Sequence, residues 1–277
     1  MIRRKKIRQM IVLTLLVAVV VVMIFPFIWM LSTSIKPPEE IFTQVPRWIP
    51  LRPTLDNFKN ILFKTSFPRY FLNSVLVGFI TMVIALVVTV FAGYALSRYN
   101  FRGKTTFSMW LLVSQMFPPV LLIIPIFVFM LKLGLVNTYA SLIITYATFA
   151  LPFSTWMLKA YFDTVPIDLE ESAKVDGCNQ IQALTKIILP LAAPGIVTVA
   201  LFIFILAWHE YMFALTLTST TEMRTLPVGI SLFLGEYRTL WGSLMAGSVV
   251  VTTPVVIFFV YLQRYIVQGL TLGAVKG

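Results

Sequence analysis

Six long runs of apolar residues divide the chain, and each has about the length that a helix needs to cross the hydrocarbon core of a membrane. The run VLTLLVAVVVVMIFPFIWML (12–31) lacks the alternation of polar and apolar positions that membrane β-strands show. The pattern therefore predicts an all-α integral membrane protein, a single transmembrane domain of six transmembrane helices. We place these helices at 10–31, 71–96, 107–131, 138–158, 188–216 and 244–263.

The composition agrees with this class and narrows the chemistry of the chain. With 58% hydrophobic and 12% charged residues among 277, and a mean hydropathy of +0.89, the chain is more apolar than a water-soluble domain. Its one cysteine, Cys178, excludes an internal disulfide, and with one histidine it provides no metal cluster. The phosphate-binding pattern G-x-x-x-x-G-K-[ST] is missing from the sequence. We expect this chain to bind no metal or cofactor, so that energy for uphill transport would come from another protein.

Basic residues give the chain a net charge of +11, but they flank the apolar runs, where anionic lipid headgroups are sufficient partners. We therefore predict no nucleic-acid partner. Five basic residues precede the first apolar run and place the N-terminus in the cytoplasm. That run is too long for a signal peptide and no A-x-A site follows it, so we predict a retained span. Six spans return the C-terminus to the cytoplasm, although six basic residues in the 32–70 loop, predicted to be extracytoplasmic, count against this orientation.

The 32–70 loop contains six prolines, which exclude one continuous helix. Between them, TLDNFKNILFK predicts a short amphipathic helix that begins at Thr54 or Asp56. This helix either packs over the ends of the spans, which we favour, or contacts a partner. Its apolar positions are Leu55, Phe58, Ile61 and Leu62.

The 165–188 segment is polar although apolar runs lie on both sides of it. Acidic residues that follow Pro166 favour the start of a helix, and Gly177 can take the left-handed conformation that ends one. Asn179 can cap a second short helix, with an apolar stripe at Ile181, Leu184, Ile187 and Ile188. The small residues before Gly177 leave a face that another protein can approach closely. From these residues alone, a docking site and a pair of interfacial helices that joins two spans are equally good interpretations.

The same segment resembles a known family. Glu171-Ser172-Ala173, then Gly177 and Ile187-x-Leu189-Pro190, match the spacing of the EAA-G-I-LP signature of membrane subunits of binding-protein-dependent ABC importers. Ser172 and Cys178 stand where the family usually has alanine, and both are small. Outside this segment the chain resembles carbohydrate permeases of the maltose type. The resemblance lies in NSVLVG (73–78), FAGYALSRYNFRGK (91–104), TLPVGI (225–230), WGSLMAGSVVVTTPV (241–255) and LQRYIVQGLTLGAVKG (262–277), and in WHEYMFAL (208–215), which is similar to WNEFLFAL.

The resemblance implies the type I permease fold of ABC importers, with 165–188 as a cytoplasmic coupling loop. It also implies a bacterial or archaeal inner-membrane complex: a second, related permease, two copies of a cytoplasmic ATPase that bind ATP and Mg, and an extracytoplasmic sugar-binding protein. This chain would form half of the translocation pathway of an ATP-driven sugar importer. The ATPase-coupling residues would be Glu171, Ser172, Ala173, Asp176 and Gly177, with Leu189 and Pro190 fixing the angle of the loop. The tail GLTLGAVKG (269–277) is a second candidate contact with the ATPases.

Polar residues within or beside the spans are candidates for the substrate pathway because such groups are rare in lipid, and aromatic residues are candidates because their faces suit the apolar face of a sugar ring. Each has a structural alternative: a kink or a contact with the partner permease for the 208–211 group, and hydrogen bonds between helices for the amides. The candidates are Trp208, His209, Glu210, Tyr211, Asn73 and Gln115. Prolines at 118, 119, 125 and 152 favour bent helices over an open cavity.

Two other function classes are less well supported. An ion-coupled secondary transporter would need intramembrane carboxylates, and Glu210 is the one acid deep in a predicted span. An intramembrane enzyme would need a nucleophile and a base together, and His209 beside Glu210 is thin support for it. Neither class accounts for the 165–188 segment.

Overall fold

The structure, a computed structural model, describes the backbone of 2–235 and 239–274 and the side chains of Lys6, 9–235 and 239–263. The candidate ATPase contact at 269–277 therefore lies outside the residues whose side chains are described. Across the described ranges the chain is helical and has no β-strand. The helices are α1 (Ile2–Ser34), α2 (Pro38–Ile41), α3 (Asp56–Phe63), α4 (Phe67–Arg98), α5 (Lys104–Ser114), α6 (Ile123–Lys132), α7 (Tyr139–Thr164), α8 (Ile167–Val175), α9 (Gln180–Ala183), α10 (Leu189–Leu191), α11 (Ala193–His209), α12 (Met212–Leu217), α13 (Leu226–Ser231) and α14 (Trp241–Ala274).

Four of the predicted spans are single long helices, and two are broken. The unbroken apolar helices are Gln9–Ser34, Phe67–Arg98, Tyr139–Thr164 and Trp241–Gln263. Lys104–Ser114 and Pro119–Lys132 form a pair bent by 92°, and Gln180–Leu191 and Ala193–His209 form a second pair bent by 82°. By length and composition, the described part of the chain contains four candidate spans, or up to six when each bent pair is taken as one.

The first bend agrees with the prediction that prolines bend the span at 107–131, whereas the second corrects the continuous helix predicted at 188–216. In the first pair, Pro118 and Pro119 cannot donate backbone hydrogen bonds, so the helix ends before them. In the second, the helix turns at Ala192, and Pro194 lies in the first turn of the next helix, which begins at Ala193. That helix ends at His209 rather than at residue 216, and the short α12 follows as a separate element. Pro152, in contrast, lies within the continuous α7.

The chain divides into two compact units, Met1–Pro68 with Ile230–Thr253, and Arg69–Gly229 with Pro254–Gly277. In the first unit, the side chain of Asn57 ties α3 to the end of α1 by donating to the carbonyls of Ser34 and Lys36, both at 2.9 Å. α3 begins at Asp56, as predicted, and the N–H of Asp56 donates to the Thr54 hydroxyl at 3.1 Å. Ile61 is fully buried. These contacts favour the packing interpretation of this helix.

In the second unit, α7 and α11 lie against each other and α4 packs beside them. Gly93 lets α4 approach the α7 backbone closely, because a Cβ atom there would lie 3.2 Å from the Lys159 nitrogen. One apolar cluster includes Phe162, Ile188 and Ile203, and it reaches the segment that carries the EAA-like motif. A second cluster, which includes Tyr146 and Phe213, lies around α6, α7 and α12. The motif segment is thus anchored to a packed core.

Candidate functional site

The first half of the 165–188 segment has the predicted geometry. α8 begins directly after Pro166 and carries Asp168 and Glu170 in its first turn. It ends at Val175, and Gly177, which follows the C-cap residue Asp176, has a φ of +88° in the left-handed region. The N–H of Cys178 donates to the Ala173 carbonyl at 2.9 Å, and that of Gly177 to the Lys174 carbonyl at 3.1 Å. This is the Schellman arrangement, in which glycine closes a helix without strain.

The second half also starts as predicted but then departs from a regular helix. The Asn179 side chain accepts from the N–H of Gln182, whose own side chain accepts from the N–H of Asn179, both at 2.9 Å. This reciprocal pair is a capping box. The chain then forms a π-helix at Leu184–Ile188 before α10. Of the predicted stripe, Leu184 and Ile188 are buried, Ile187 is half-buried and Ile181 is exposed.

Glu170 makes the main polar contacts between α8 and the rest of the fold, and only 2% of this residue is exposed. Its Oε1 accepts from the Tyr94 hydroxyl at 2.5 Å and from Gln180 Nε2 at 3.0 Å. Its Oε2 accepts from Arg98 Nε at 3.0 Å, and Lys174 Nζ lies 3.3 Å from Oε1. The carboxylate therefore connects α8, α9 and the last turns of α4.

These partners also determine the ionisation of Glu170. Burial by itself would raise the pKa of the carboxyl group. Hydrogen bonds from Tyr94 and Arg98, together with the hydrogen bond and charge of Lys174, outweigh burial and hold the pKa below its ordinary value. Glu170 is thus an ionised side chain in a nearly closed site.

The predicted coupling residues divide into an exposed set and an inward set. Glu171, Ser172, Asp176 and Gly177 are exposed, as is Pro190. Ala173 is 3% exposed and packs inward, so it cannot itself meet a partner in this conformation. Leu189 is half-buried against the apolar cluster of the spans. Four of the exposed residues lie on the outer side of α8 and its C-terminal turn, and we call them the coupling face: Glu171, Ser172, Asp176 and Gly177.

The residues that hold Glu170 were not among those predicted from the sequence. Tyr94 and Arg98 lie in the resembling FAGYALSRYNFRGK segment, but no local pattern connects them with a helix some 70 positions later. Local geometry does not decide between Glu170 and Glu171 either, because consecutive residues of a helix point about 100° apart and both can lie on its exposed side.

The structure places two of the four residues at 208–211 in packing and capping roles. Trp208 is fully buried, with its ring 5.8 Å from that of Phe71 and 5.5 Å from that of Phe204. The Glu210 carboxylate accepts from the N–H groups of Phe213 and Ala214, at 2.8 and 2.9 Å, and so caps α12. His209 and Tyr211 are exposed. The group forms the break between α11 and α12, in agreement with the structural alternative.

The two amide candidates also make internal contacts. Asn73 Nδ2 donates to the carbonyls of Glu222 and Arg224, both at 2.8 Å, and its Oδ1 accepts from the Tyr139 hydroxyl at 2.8 Å. Its side chain therefore fixes the segment that precedes α13. Gln115 is exposed at the end of α5, where it donates to the Phe149 carbonyl at 3.2 Å. Among the described residues, no three His, Cys, Asp or Glu side chains lie close enough to hold a metal ion.

Comparison with known proteins identifies the family. The sequence model described as "binding-protein-dependent transport system inner membrane component" matches residues 85–272. The chain belongs to this family. The permease is 39% identical over 278 residues to the trehalose/maltose transport system permease of Thermococcus litoralis, with 99% of both chains covered. It is 41% identical over 256 residues to the trehalose transport system permease of Mycobacterium tuberculosis, with 92% of this chain and 93% of the relative covered.

Solved structures agree with the fold. The permease superposes with a TM-score of 0.82 on a chain of a bacterial ABC transporter involved in the import of the acidic polysaccharide alginate. The two are 24% identical, and 95% of this chain and 98% of that chain are covered. A chain of the inward-facing MetNI methionine ABC transporter gives a TM-score of 0.59 at 19% identity, over 76% of this chain and 97% of that one. The predicted ABC importer permease fold is confirmed, and this multi-pass inner-membrane protein is a transport subunit rather than an enzyme.

Proposed function

We propose that the permease forms one half of the translocation pathway of an ATP-driven sugar importer and that its coupling face receives the motion of a cytoplasmic ATPase. The observation that carries this proposal is the structure of the 165–188 loop. A small, acidic and glycine-ended face is exposed, while the same helix is fixed to the spans by a buried carboxylate. Relatives named as permeases for trehalose, maltose and sulfoquinovosyl glycerol support a sugar or sugar-containing substrate.

The proposed complex contains a second, related permease, two copies of the ATPase and an extracytoplasmic sugar-binding protein. This chain binds no cofactor, and ATP and Mg are held by the ATPases. ATP draws the two ATPases together and thereby moves the coupling loops of both permeases. A ligand shifts an equilibrium only through different interactions with its two states, so the loop must keep its contacts with the spans for ATP to favour the outward-facing state.

The proposal requires the N- and C-termini and the coupling loop to face the cytoplasm. Cys178, the one cysteine of the chain, lies half-buried directly after Gly177 and is a native probe of this orientation. A membrane-impermeant maleimide should label it in inside-out vesicles and not in intact spheroplasts. If Cys178 were labelled only from the outer side, the orientation would be the opposite of the proposed one, and the coupling loop could not contact a cytoplasmic ATPase.

The function itself is tested by co-purification of the permease with the products of neighbouring genes. The expected result is retention of an ATPase whose activity rises with trehalose or maltose and the cognate binding protein. Gly177→Asp should abolish this retention or the sugar response. Gly103→Asp is the matched control, because Gly103 also has a positive φ, +89°, with open space around it. An ATPase absent from the wild-type preparation, or equal behaviour of both variants, would contradict the proposal.

A further inference from the structure

Glu170 has a different task from Glu171, its neighbour in the motif. We infer that Glu170, held by Tyr94 and Arg98, is the positioning residue that makes the coupling loop and the Arg98 end of α4 move as one body. This inference rests on the proposed function, and it assigns the transmission of motion to a carboxylate that does not touch the ATPase.

The contacts of α8 support this assignment. Every residue of α8 is described, and its two buried residues are Glu170 and Ala173. Ala173 contributes one methyl group, and an apolar contact of this kind is not directional as a hydrogen bond is. The orientation of the helix therefore depends on the carboxylate, whose two oxygens accept from donors on α4 and α9.

Arg98 extends the connection to the start of the loop. Its Nε donates to Glu170, and its second terminal nitrogen donates to the Val165 carbonyl at 2.9 Å, just before α8. The guanidinium thus holds both α8 and the chain that enters it. In the ion pair, the Arg98 and Glu170 side chains are 6% and 3% exposed. A charged pair that water scarcely reaches has a fixed geometry and is costly to break on one side.

Gln180 closes the connection on the other side of Gly177. Its Nε2 lies 2.8 Å from the Tyr94 hydroxyl and 3.0 Å from Glu170 Oε1. Glu170 on α8 and Gln180 on α9 therefore bind each other, and both bind the Tyr94 hydroxyl on α4. Because these hydrogen bonds lie on both sides of the glycine turn, a push on the coupling face moves the whole loop together with the Arg98 end of α4 and does not bend the loop at Gly177.

Glu170→Gln tests the inference because it keeps the shape of the side chain and removes the charge. The complete importer would be reconstituted in proteoliposomes with trehalose as the test sugar, and sugar uptake and ATP hydrolysis would be measured together. We expect the ATPase to stay bound and hydrolysis to continue, while sugar moved per ATP falls by about 5- to 150-fold, the range of typical coupling between sites. Asp168→Asn is the matched control, since Asp168 is an exposed acid on the same helix, and its ratio should not change.

The ratio of uptake to hydrolysis separates transmission from simple stability. Fewer folded complexes lower both rates together, whereas a loose connection lowers only uptake. An unchanged ratio in Glu170→Gln, or an equal fall in Asp168→Asn, would overturn the inference. If the wild-type complex binds no ATPase or shows no ATP-driven uptake, the proposed function fails instead.

A second variant tests the inference if the importer with Glu170→Gln does not assemble. Tyr94→Phe removes one hydroxyl, keeps the ring that packs against Phe162, and leaves the Arg98 pair in place. A lower ratio of uptake to hydrolysis in this variant would support the inference, and a wild-type ratio would overturn it.

Discussion

Replacement of Gly177 by alanine should loosen the C-terminal turn of α8 without any steric clash. A Cβ atom added at Gly177 meets no other atom within 4 Å, so the cost comes from the backbone alone. At a φ of +88°, an L-residue pays about 1–2 kcal/mol for the left-handed conformation. This energy multiplies the population of the opened turn by about 5 to 30.

Amide hydrogen exchange measures that population directly. The Cys178 N–H is bonded to the Ala173 carbonyl at 2.9 Å and exchanges when the turn opens. In Gly177→Ala we expect its exchange at neutral pH to be faster by about 5- to 30-fold. Gly177→Asn should show a smaller change, because asparagine tolerates the left-handed region better than alanine does.

Gly103→Ala controls for a general loss of stability. Gly103 has nearly the same φ, +89°, and equally open surroundings, but it lies in another loop. Its substitution should leave the exchange of the Cys178 amide unchanged. Exchange in Gly177→Ala that stays within about twofold of the wild type would refute the backbone argument.

Three further predictions concern the packing, the ionisation and the hydrogen bonds of the second unit. Gly195→Ala places a methyl group against the Tyr161 ring and should destabilise the protein by about 1–3 kcal/mol, which lowers the thermal unfolding temperature. Adding Tyr161→Leu to this variant should restore part of the lost stability. An unshifted unfolding temperature in Gly195→Ala would contradict this packing. The pKa of Glu170 is lower in the folded protein than the ordinary value of 4.5, so the ionised carboxylate stabilises the fold above that pH, and this stabilisation is lost as the pH falls through the lowered pKa. Thermal unfolding measured between about pH 7 and pH 3 should show the loss. The variant Glu170→Gln should lack that part of the pH dependence. Asn73→Ala should cost about 1–3 kcal/mol and expose the chain around Glu222 to proteases without changing the KM for sugar, whereas a large change in KM would favour the substrate-contact hypothesis.

The turn at Gly177 and the cap at Asn179 could be predicted from the sequence because each depends on residues only a few positions apart. Glycine at the end of an acidic helix and an asparagine two residues later determine the local backbone whatever surrounds them. The fate of the two glutamates could not be predicted in this way. Which of Glu170 and Glu171 faces inward depends on Arg98, and that contact exists only after the spans have packed.

Of the two bends in the spans, one could be predicted from the sequence and the other could not. The break in the third span could be expected from Pro118 and Pro119, which remove hydrogen-bond donors. The 82° turn at Ala192 has no such marker at the turn itself, and apolarity alone suggested one helix from 188 to 216. Trp208 was a candidate because aromatic rings suit sugars, but ring chemistry does not reveal that the side chain is closed off by its neighbours.

The π-helix at Leu184–Ile188 makes the number of residues in this segment as important as their identity. A π turn accommodates one more residue than the α turn it replaces. Deletion of a single residue there would restore α-helical winding and rotate everything before it by about 100° relative to α11. The loop would keep its composition, its cap and its glycine, yet it would point elsewhere. Insertions and deletions between Ala183 and Leu189 should therefore be selected against in functional permeases even where conservative substitutions are tolerated.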